Sequence, residues 1–273
     1  MSHVPHIRLN NGVEMPQLGF GVWQVGNDDA NDAVAKALEV GYRAIDTAAV
    51  YGNEEGTGKA IADSGIDRDE LFITTKLWND DQGADTTLPA FDASLERLGL
   101  DYVDLYLIHW PKPKLNRYVE TWKVLEDIAA SGRAKAIGVS NFHAQHLTRL
   151  LAETDIVPVV NQIELHPNLT QRELKQFNES RGIATEAWSP LASGALLGDP
   201  FLTQLAEKYG KSPAQVIIRW HLQDENIVIP KSVTPSRIKE NFEVFDFELA
   251  DADVQAITAL HNGARTGSNP DEL

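Results

Sequence analysis

Hydrophobic residues along the chain alternate between short apolar runs and longer amphipathic segments. The short runs are rich in Val, Ile, Leu and Ala, and the longer segments repeat their apolar positions at the spacing of a helix face. We predict strands at residues 18–22, 43–46, 71–76, 103–109, 134–139, 159–163, 184–187 and 227–229. Between them, the pattern predicts helices that include residues 30–40, 86–98, 118–131 and 171–181. Strands that alternate with helices are typical of a parallel sheet.

Eight such strands in 273 residues predict an α/β protein with a closed (β/α)₈ TIM barrel, formed by one domain over residues 1–273. Ahead of the barrel, apolar positions at 6–9 and 13–15 flank Asn11-Gly12, which is typical of a two-residue hairpin turn. We therefore expect an N-terminal β-hairpin that covers the bottom of the barrel. A doubly wound open sheet is the alternative that the same alternation allows.

Composition restricts the classes of function. With 24 Lys and Arg against 40 Asp and Glu, the net charge is −16, which repels nucleic acid and anionic membranes. The chain contains no cysteine, and this excludes disulfides, thiolate metal sites and a cysteine nucleophile. It shows neither a secretory leader pattern nor an apolar stretch long enough to span a membrane. We expect a cytoplasmic protein with no nucleic-acid or membrane partner.

Two glycine-rich segments resemble nucleotide-binding loops, but neither fits. Residues 52–59 have the wrong spacing for a phosphate-binding loop, and Ala60 stands where a magnesium-binding hydroxyl is required. Gly19 and Gly21 begin a dinucleotide fingerprint, but Gln24 replaces its third glycine. A nucleotide bound by this chain is expected to bind without a Rossmann loop.

Titratable side chains end three successive predicted strands. Asp46, Lys76 and His109 each follow an apolar or β-branched run, and Tyr51 lies in the loop after Asp46. Catalytic groups of a (β/α)₈ barrel lie at these strand ends. We predict that the Lys76 ammonium lowers the pKa of the Tyr51 phenol and that Asp46 offsets the lysine charge. His109 would then orient a substrate carbonyl that Tyr51 protonates.

Each of these residues also has a purely structural interpretation. Asp46 and Lys76 form a structural ion pair in that view, Tyr51 is a packing residue, and His109 is a buried core histidine. Their coincidence at consecutive strand ends favours the catalytic interpretation.

Three motifs resemble signatures of the aldo-keto reductase family. They read GYRAIDTAAVYGNEE at residues 41–55, IGVSNF at 137–142 and IPKSVTPSRIKEN at 229–241. The resemblance runs from the hairpin to the C-terminal residues and implies a (β/α)₈ barrel. It also implies a catalytic tetrad of Asp46, Tyr51, Lys76 and His109. Members of the family transfer a hydride from NADPH to an aldehyde or ketone, with the tyrosine as general acid.

The resemblance implies a cofactor site as well. Ser140, Asn141 and Gln162 take the positions that hold the nicotinamide carboxamide, and Trp188 takes the position of the stacking ring, where many animal members have Tyr. Lys231 and Arg237 suit a 2′-phosphate, which favours NADPH over NADH. The full set of implied cofactor residues is Ser140, Asn141, Gln162, Trp188, Ser189, Leu191, Ser193, Lys231, Ser232, Val233, Arg237, Glu240 and Asn241, of which the last two would face the adenine.

Aromatic residues after the predicted strands indicate an apolar substrate pocket. We assign Trp23, Trp78 and Trp110 to it, together with Val50 and His109, whereas Trp122 and Trp220 fall on predicted helices and are expected to pack there. The segments after His109 and at residues 262–273 are short, as in the bacterial 2,5-diketo-D-gluconate reductases of the family. This resemblance suggests a keto-sugar acid as the small-molecule substrate and a monomer as the oligomeric state.

The sequence also allows two other classes of function. One is an NADPH-binding sensor or subunit with negligible turnover, against which an intact tetrad argues. The other is a metal-assisted barrel hydrolase built on His143 and His146, one helical turn apart, or on Glu164 and His166. No third convergent ligand is evident beside either pair, so we expect no metal.

Overall fold

Eight parallel strands form the central sheet in the computed structural model, which describes residues 4–273. Residues 1–3 of the predicted domain lie outside the described residues. The barrel closes between its first and last strands, since the backbone N–H of Gly19 donates to Val228 O and that of Val228 donates to Gln17 O, both at 2.9 Å. The predicted (β/α)₈ barrel is confirmed. Its sheet runs from β3 to β10, and the strands of the chain are β1 (His6–Arg8), β2 (Glu14–Pro16), β3 (Phe20–Gly21), β4 (Ala44–Asp46), β5 (Phe72–Leu77), β6 (Val103–Ile108), β7 (Ala134–Ser140), β8 (Val160–Glu164), β9 (Ala184–Trp188) and β10 (Ile227–Val228).

Helices surround the barrel on its outside. In the described part of the chain they are α1 (Asn27–Val40), α2 (Glu54–Asp63), α3 (Thr87–Leu98), α4 (Tyr118–Ala130), α5 (Ala144–Glu153), α6 (Arg172–Ser180), α7 (Pro200–Tyr209), α8 (Pro213–Gln223), α9 (Pro235–Phe242) and α10 (Asp251–Thr258). Trp122 on α4 and Trp220 on α8 are fully buried, as expected for helix packing. None of the helices within residues 4–273 is both long and apolar enough to cross a membrane.

Predicted element bounds hold to within a few residues. The eight predicted barrel strands all occur, each shifted by no more than two residues at either end. The largest difference among the predicted helices is the start of α1, which begins at Asn27 rather than at residue 30. Its first turn carries Asp28 and Asp29, which favour a helix N-terminus through the helix dipole but carry no hydrophobic periodicity.

The predicted N-terminal hairpin is present, although its turn is longer than expected. Strands β1 and β2 pair antiparallel, with Ile7 opposite Met15. The backbone N–H of Leu9 bonds to Val13 O, which leaves a three-residue loop in which Gly12 has φ +87°. Leu9 and Met15 pack against residues from the amino-terminal halves of the barrel strands, among them Phe72 and Leu105. The hairpin therefore covers the bottom of the barrel.

The glycines that resembled a phosphate-binding loop belong to helix α2, where they allow close helix contacts. A Cβ at Gly56 would lie 2.0 Å from Asn27 O, and one at Gly58 would lie 2.1 Å from Leu98 O. These distances leave no room for a methyl group, since both neighbours are backbone atoms. The two glycines thus bring α2 against the start of α1 and the end of α3.

Replacing Gly58 with alanine tests this packing. Alanine gains about 1 kcal/mol of helix propensity, but the clash with Leu98 O forces the helices apart. We expect a net loss of roughly 1–3 kcal/mol in the free energy of unfolding, measured by urea denaturation. Gly198→Ala is the matched control, because nothing lies within 4 Å of its added Cβ. Equal stability of the two variants would contradict the close contact.

Candidate active site

A buried ion pair occupies the carboxyl ends of β4 and β5. Lys76 Nζ donates to Asp46 Oδ1 at 2.5 Å and to Thr47 O at 2.9 Å. Lys76 is 0% exposed and Asp46 is 4% exposed. Two charges this deeply buried are tolerated only when each is paired and hydrogen-bonded. The predicted pairing of the two strand ends is therefore observed in the geometry.

Tyr51 and His109 complete a compact cluster around this pair. The Tyr51 hydroxyl accepts a hydrogen bond of 3.4 Å from Lys76 Nζ, which also lies 5.1 Å from the centre of the phenol ring. The rings of Tyr51 and His109 meet edge to face with their centres 5.7 Å apart. His109 Nδ1 is buried and has no hydrogen-bond partner among residues 4–273. All four residues predicted from the strand ends thus lie together.

The pKa values in this cluster differ in one respect from the prediction. Burial raises the pKa of Tyr51, and Asp46 adds to this, so that the lowering by Lys76 is outweighed. The predicted net lowering was therefore wrong, because it left out the cost of burying a phenolate. Burial lowers the pKa of Lys76, but Asp46 and Tyr51 reverse this and the net pKa is raised. Burial, reinforced by Lys76, holds the pKa of His109 well below its usual value. At neutral pH the phenol is protonated and the imidazole is neutral.

An amide bridge crosses the interior of the barrel. Gln162 on β8 donates one amide hydrogen to Asp46 Oδ2 at 2.8 Å and the other to Glu186 Oε2 at 2.9 Å. Strands β4 and β8 lie four positions apart in the sheet of eight, so the first bond spans the barrel. Glu186 on β9 is 0% exposed. Burial and Asp46 raise the pKa of Glu186 to about 8, although Gln162 and Lys76 oppose the shift.

Three more predicted residues form a hydrogen-bonded chain beside this bridge. The Ser140 hydroxyl donates to Gln162 O at 2.9 Å, and the Asn141 amide donates to His109 O at 3.0 Å. Trp188 Nε1 donates to Asn141 Oδ1 at 2.8 Å. Asn141 has φ +65°, a left-handed conformation that asparagine tolerates better than most residues. The half-buried Trp188 ring is therefore held in a fixed orientation next to the tetrad.

Aromatic side chains surround His109 on its other sides. The rings of Trp78 and His109 are 5.4 Å apart, and those of His109 and Trp110 are 6.3 Å apart. Trp23 and Val50 are 47% and 44% exposed. The structure thus groups Trp78 and Trp110 with His109, whereas Trp23 and Val50 are exposed and Val50 lines a surface cavity with Trp78.

A separate cluster of predicted residues lies at the start of α9. Lys231 and Arg237 are exposed, and neither forms an ion pair within residues 4–273. Ser232 is buried and its hydroxyl accepts from the backbone N–H of Thr234 at 3.1 Å. Two unpaired cations beside a helix N-terminus suit a phosphate group in chemistry. The other predicted cofactor residues of this helix region are Val233, which is 51% exposed, Glu240, which is half-buried, and Asn241, which is buried.

The loop after β9 carries the remaining predicted cofactor residues, Ser189, Leu191 and Ser193. Ser189 and Ser193 have φ values of +47° and +53°, as does their neighbour Ala192 at +50°. Such conformations cost energy for residues other than glycine and are often found where a loop meets a ligand. The left-handed backbone conformation of these residues therefore determines the path of the loop.

The C-terminal tail, residues 262–273, is tied to the barrel by Glu164. This carboxylate, 0% exposed, accepts from His166 Nε2 at 3.1 Å, from the Thr266 hydroxyl at 2.7 Å and from the Thr266 backbone N–H. Burial raises the pKa of Glu164, but these hydrogen bonds outweigh it and the net pKa is lowered. A Cβ added to Gly267 would lie 2.3 Å from Trp188 Cη2. The tail therefore packs directly on the edge of the Trp188 ring.

The tail also supplies a third group beside His143 and His146, which the sequence analysis did not find. Asp271 Oδ1 lies 3.0 Å from His143 Nδ1 and 3.5 Å from His146 Nε2. The His143 backbone N–H donates to His146 Nδ1 at 3.1 Å, so neutral His146 carries its proton on Nε2. Arg265 lies 3.5 Å from His143 Nε2, which leaves Nδ1 to donate to Asp271. The Asp271 carboxylate thus lies beside both rings, and its bond to His143 ties the tail to the start of α5.

Sequence reasoning missed Glu186 and the anchoring role of Glu164. Glu186 interrupts a run of small residues on β9, and a carboxylate inside a strand is a signal that it has a buried partner. The partner of Glu164 lies 102 residues further along the chain, and no local pattern indicates it.

Comparisons with known proteins agree with this geometry. A model of the aldo/keto reductase family matches residues 17–262. An aldo-keto reductase of Mycolicibacterium smegmatis is 59% identical over 266 residues, which cover 97% of this chain and 97% of that protein. The methylglyoxal reductase DkgA of Yersinia pestis is 56% identical over 273 residues and covers 99% of this chain and 98% of its own length. A crystal structure of a Gox0644 mutant in complex with NADPH aligns with a TM-score of 0.96 at 48% identity, covering 100% of this chain and 99% of that one.

Replacing Lys76 with methionine tests the buried ion pair. The substitution leaves the Asp46 carboxylate buried without its counter-ion. We expect a loss of about 3–5 kcal/mol in the free energy of unfolding, measured by urea denaturation at pH 7. Lys59→Met, which breaks an exposed pair with Asp63, is the control and is expected to lose no more than about 1 kcal/mol. The double variant Asp46→Asn, Lys76→Met removes both charges and is expected to recover part of the loss. No recovery would contradict the ion-pair interpretation.

Proposed function

The chain belongs to the aldo/keto reductase family, and on that premise we propose that it reduces aldehydes and ketones to alcohols with NADPH as the hydride donor. One observation carries the proposal. A protonated phenol, Tyr51, lies 3.4 Å from the Lys76 ammonium, which is itself held at 2.5 Å by Asp46. A phenol that serves only to pack against its neighbours has no need of a buried cation at its hydroxyl.

Tyr51 supplies the proton in this proposal. NADPH, when bound, supplies a hydride to the carbonyl carbon, while the Tyr51 hydroxyl gives its proton to the carbonyl oxygen as negative charge develops there. The phenolate left behind is stabilised by Lys76. Burial raises the pKa of Tyr51, so at neutral pH the residue holds the proton that reduction requires.

His109 orients the carbonyl in this proposal. Its lowered pKa keeps the imidazole neutral, so the ring carries a single N–H. Nδ1 is buried without a partner, and leaving an acceptor unpaired is less costly than leaving a donor unpaired. We therefore assign the proton to Nε2, from which it donates to the substrate oxygen beside Tyr51.

The cofactor-holding residues follow from the chemistry of the donors. The exposed cations Lys231 and Arg237 would hold the 2′-phosphate against the overall charge of −16. The flat Trp188 ring, fixed by Asn141, would stack on the nicotinamide, and Ser140 and Gln162 would meet its carboxamide. The NADPH complex of the Gox0644 mutant, which is 48% identical to this chain, supports the choice of cofactor.

The substrate is proposed to be a small carbonyl compound that binds among Trp23, Trp78, Trp110 and His109, with Val50 at the edge. The Yersinia pestis relative is named a methylglyoxal reductase, and short dicarbonyls therefore join the keto-sugar acids as candidates. The rings around His109 are apolar, and they leave the polar recognition of the carbonyl to Tyr51 and His109. A cytoplasmic monomer remains the expected state of the protein.

A panel of carbonyl compounds tests the proposed activity. NADPH oxidation is followed with methylglyoxal, keto-sugar acids and aromatic aldehydes, and we expect turnover with at least one of these classes. The absence of turnover across the panel, together with tight NADPH binding, would reject the reductase proposal and leave a cofactor-binding sensor.

Replacing Tyr51 with phenylalanine removes the proposed acid. We expect kcat for carbonyl reduction to fall by roughly 10²–10⁴-fold, the usual contribution of a general acid, with NADPH affinity nearly unchanged. Steady-state kinetics and a fluorescence titration with NADPH measure the two quantities. Tyr102→Phe is the control, since its hydroxyl contacts Asp69 at the opposite end of the barrel strands. Wild-type turnover in Tyr51→Phe would show that another group gives the proton.

Replacing Arg237 with alanine separates the two nicotinamide cofactors. Losing a charge-assisted contact to phosphate weakens NADPH by about tenfold or more, whereas NADH has no phosphate at that position. Dissociation constants for both cofactors measure the difference. Lys239→Ala, which breaks an exposed pair with Glu243, is expected to leave both constants unchanged. An equal loss for NADPH and NADH would overturn the 2′-phosphate assignment.

A further inference from the structure

Glu186 is a buried carboxyl group to which the proton transfer described above gives no role. It lies in the middle of β9, paired in register with Gln162 of β8, and its side chain faces the barrel interior. Oε2 accepts from the Gln162 amide, whereas Oε1 is buried and has no hydrogen-bond partner within residues 4–273. Such an incompletely satisfied carboxyl is costly and calls for a functional explanation.

The bond to Glu186 fixes the orientation of the Gln162 amide. Both amide hydrogens point at carboxyl oxygens, one on Asp46 and one on Glu186. The flipped amide would place its oxygen against the Asp46 carboxylate, which can only accept, so Asp46 requires the observed orientation and Glu186 accepts the second amide hydrogen. Asp46 Oδ2 is therefore held indirectly by Glu186, while Asp46 Oδ1 holds Lys76.

We propose that Glu186 is a positioning residue, which holds Asp46 and Lys76 beside Tyr51 through Gln162, and that its negative charge, once formed, helps Tyr51 to keep its proton. The proposal rests on the proposed role of Tyr51 as the acid.

The charge on Glu186 affects Tyr51 because both side chains belong to the same buried network around Asp46 and Lys76. The titratable groups that act on Glu186 are Asp46 from β4 and Lys76 from β5, and Glu186 in turn acts on Tyr51. The pKa of Glu186 is raised to about 8, so at pH 7 the acid is neutral and the Asp46–Lys76 pair carries no net charge. Above that pH the carboxylate forms and raises the pKa of Tyr51 further. Tyr51 therefore keeps its proton to a higher pH than it would beside a neutral residue.

Two substitutions separate the positioning role from the charge. Glu186→Gln keeps the shape and an oxygen that accepts from Gln162, but it never ionises. Glu186→Leu removes the acceptor altogether. At pH 7 we expect kcat for NADPH-dependent reduction to fall about tenfold in Glu186→Leu but to stay within about threefold of wild type in Glu186→Gln, since only the former loses a buried hydrogen bond. Retention of wild-type kcat in Glu186→Leu would overturn the positioning role.

The pH profile of Glu186→Gln tests the charge. Reduction requires protonated Tyr51, so its rate falls at high pH as Tyr51 loses the proton. Removal of the charge on residue 186 is expected to move this fall to lower pH by about half a unit to one unit. Asp104→Asn is the matched control, because Asp104 is a buried carboxylate that bonds to Arg68 and Ile73 away from the tetrad. It is expected to lose stability without shifting the profile. The proposal would be overturned if the pH profiles of wild type and Glu186→Gln superimposed, or if Glu186→Gln and Asp104→Asn shifted the profile equally.

A titration that needs no turnover distinguishes this proposal from the proposed function. In protein labelled with ¹³C at the Glu carboxyl groups, NMR is expected to show one group with a midpoint near 8. That signal is expected to persist in Tyr51→Phe and to be absent in Glu186→Gln. If it is present while no carbonyl compound is reduced, only the proposed function fails. If no Glu carboxyl titrates near 8, the link between Glu186 and Tyr51 fails, whatever the activity.

Discussion

The buried ion pair between Asp46 and Lys76 is the constraint on which the interior of this barrel depends. An ammonium that is 0% exposed has to find acceptors for its three hydrogens inside the protein, and it finds them in Asp46, Thr47 O and the Tyr51 hydroxyl. Asp46 in turn needs a donor for its second oxygen, and Gln162 supplies it from across the barrel. Each polar group of the site is thus placed by the requirement to satisfy the previous one.

This polar network is confined to one end of the barrel. The amino-terminal halves of the strands pack an apolar layer with Leu9 and Met15 of the hairpin. At the carboxyl end, the network, the Trp188 ring and the C-terminal tail share one surface. The tail carries its own set of bonds, from Thr266 to Glu164 and from His143 to Asp271. The candidate site thus lies at the carboxyl ends of the strands, the end at which (β/α)₈ enzymes carry their catalytic groups.

The sequence predicted those features that have a local signal. Strand ends are marked by a change from apolar to titratable residues, so the coincidence of Asp46, Lys76 and His109 at such ends was recognisable, and their meeting followed from the barrel. The sign of the Tyr51 pKa shift was predicted wrongly, because it depends on how deeply the phenol is buried, which no pattern records. Asp271 was missed for a related reason, because its partner His143 is distant along the chain. Glu186 carried a signal, a carboxylate inside a strand, but the pattern did not indicate Gln162 as its partner.

The bond between Gln162 and Asp46 joins positions that are 116 residues apart in the sequence. A half-barrel fragment that ends before β7 would contain Asp46, Tyr51, Lys76 and His109, and hence every residue that handles the proton. It would lack the amide that holds the second oxygen of Asp46, and it would expose the lumen to water. The four residues alone are therefore not sufficient for the complete site, because the second oxygen of Asp46 is held only when both halves of the barrel are present.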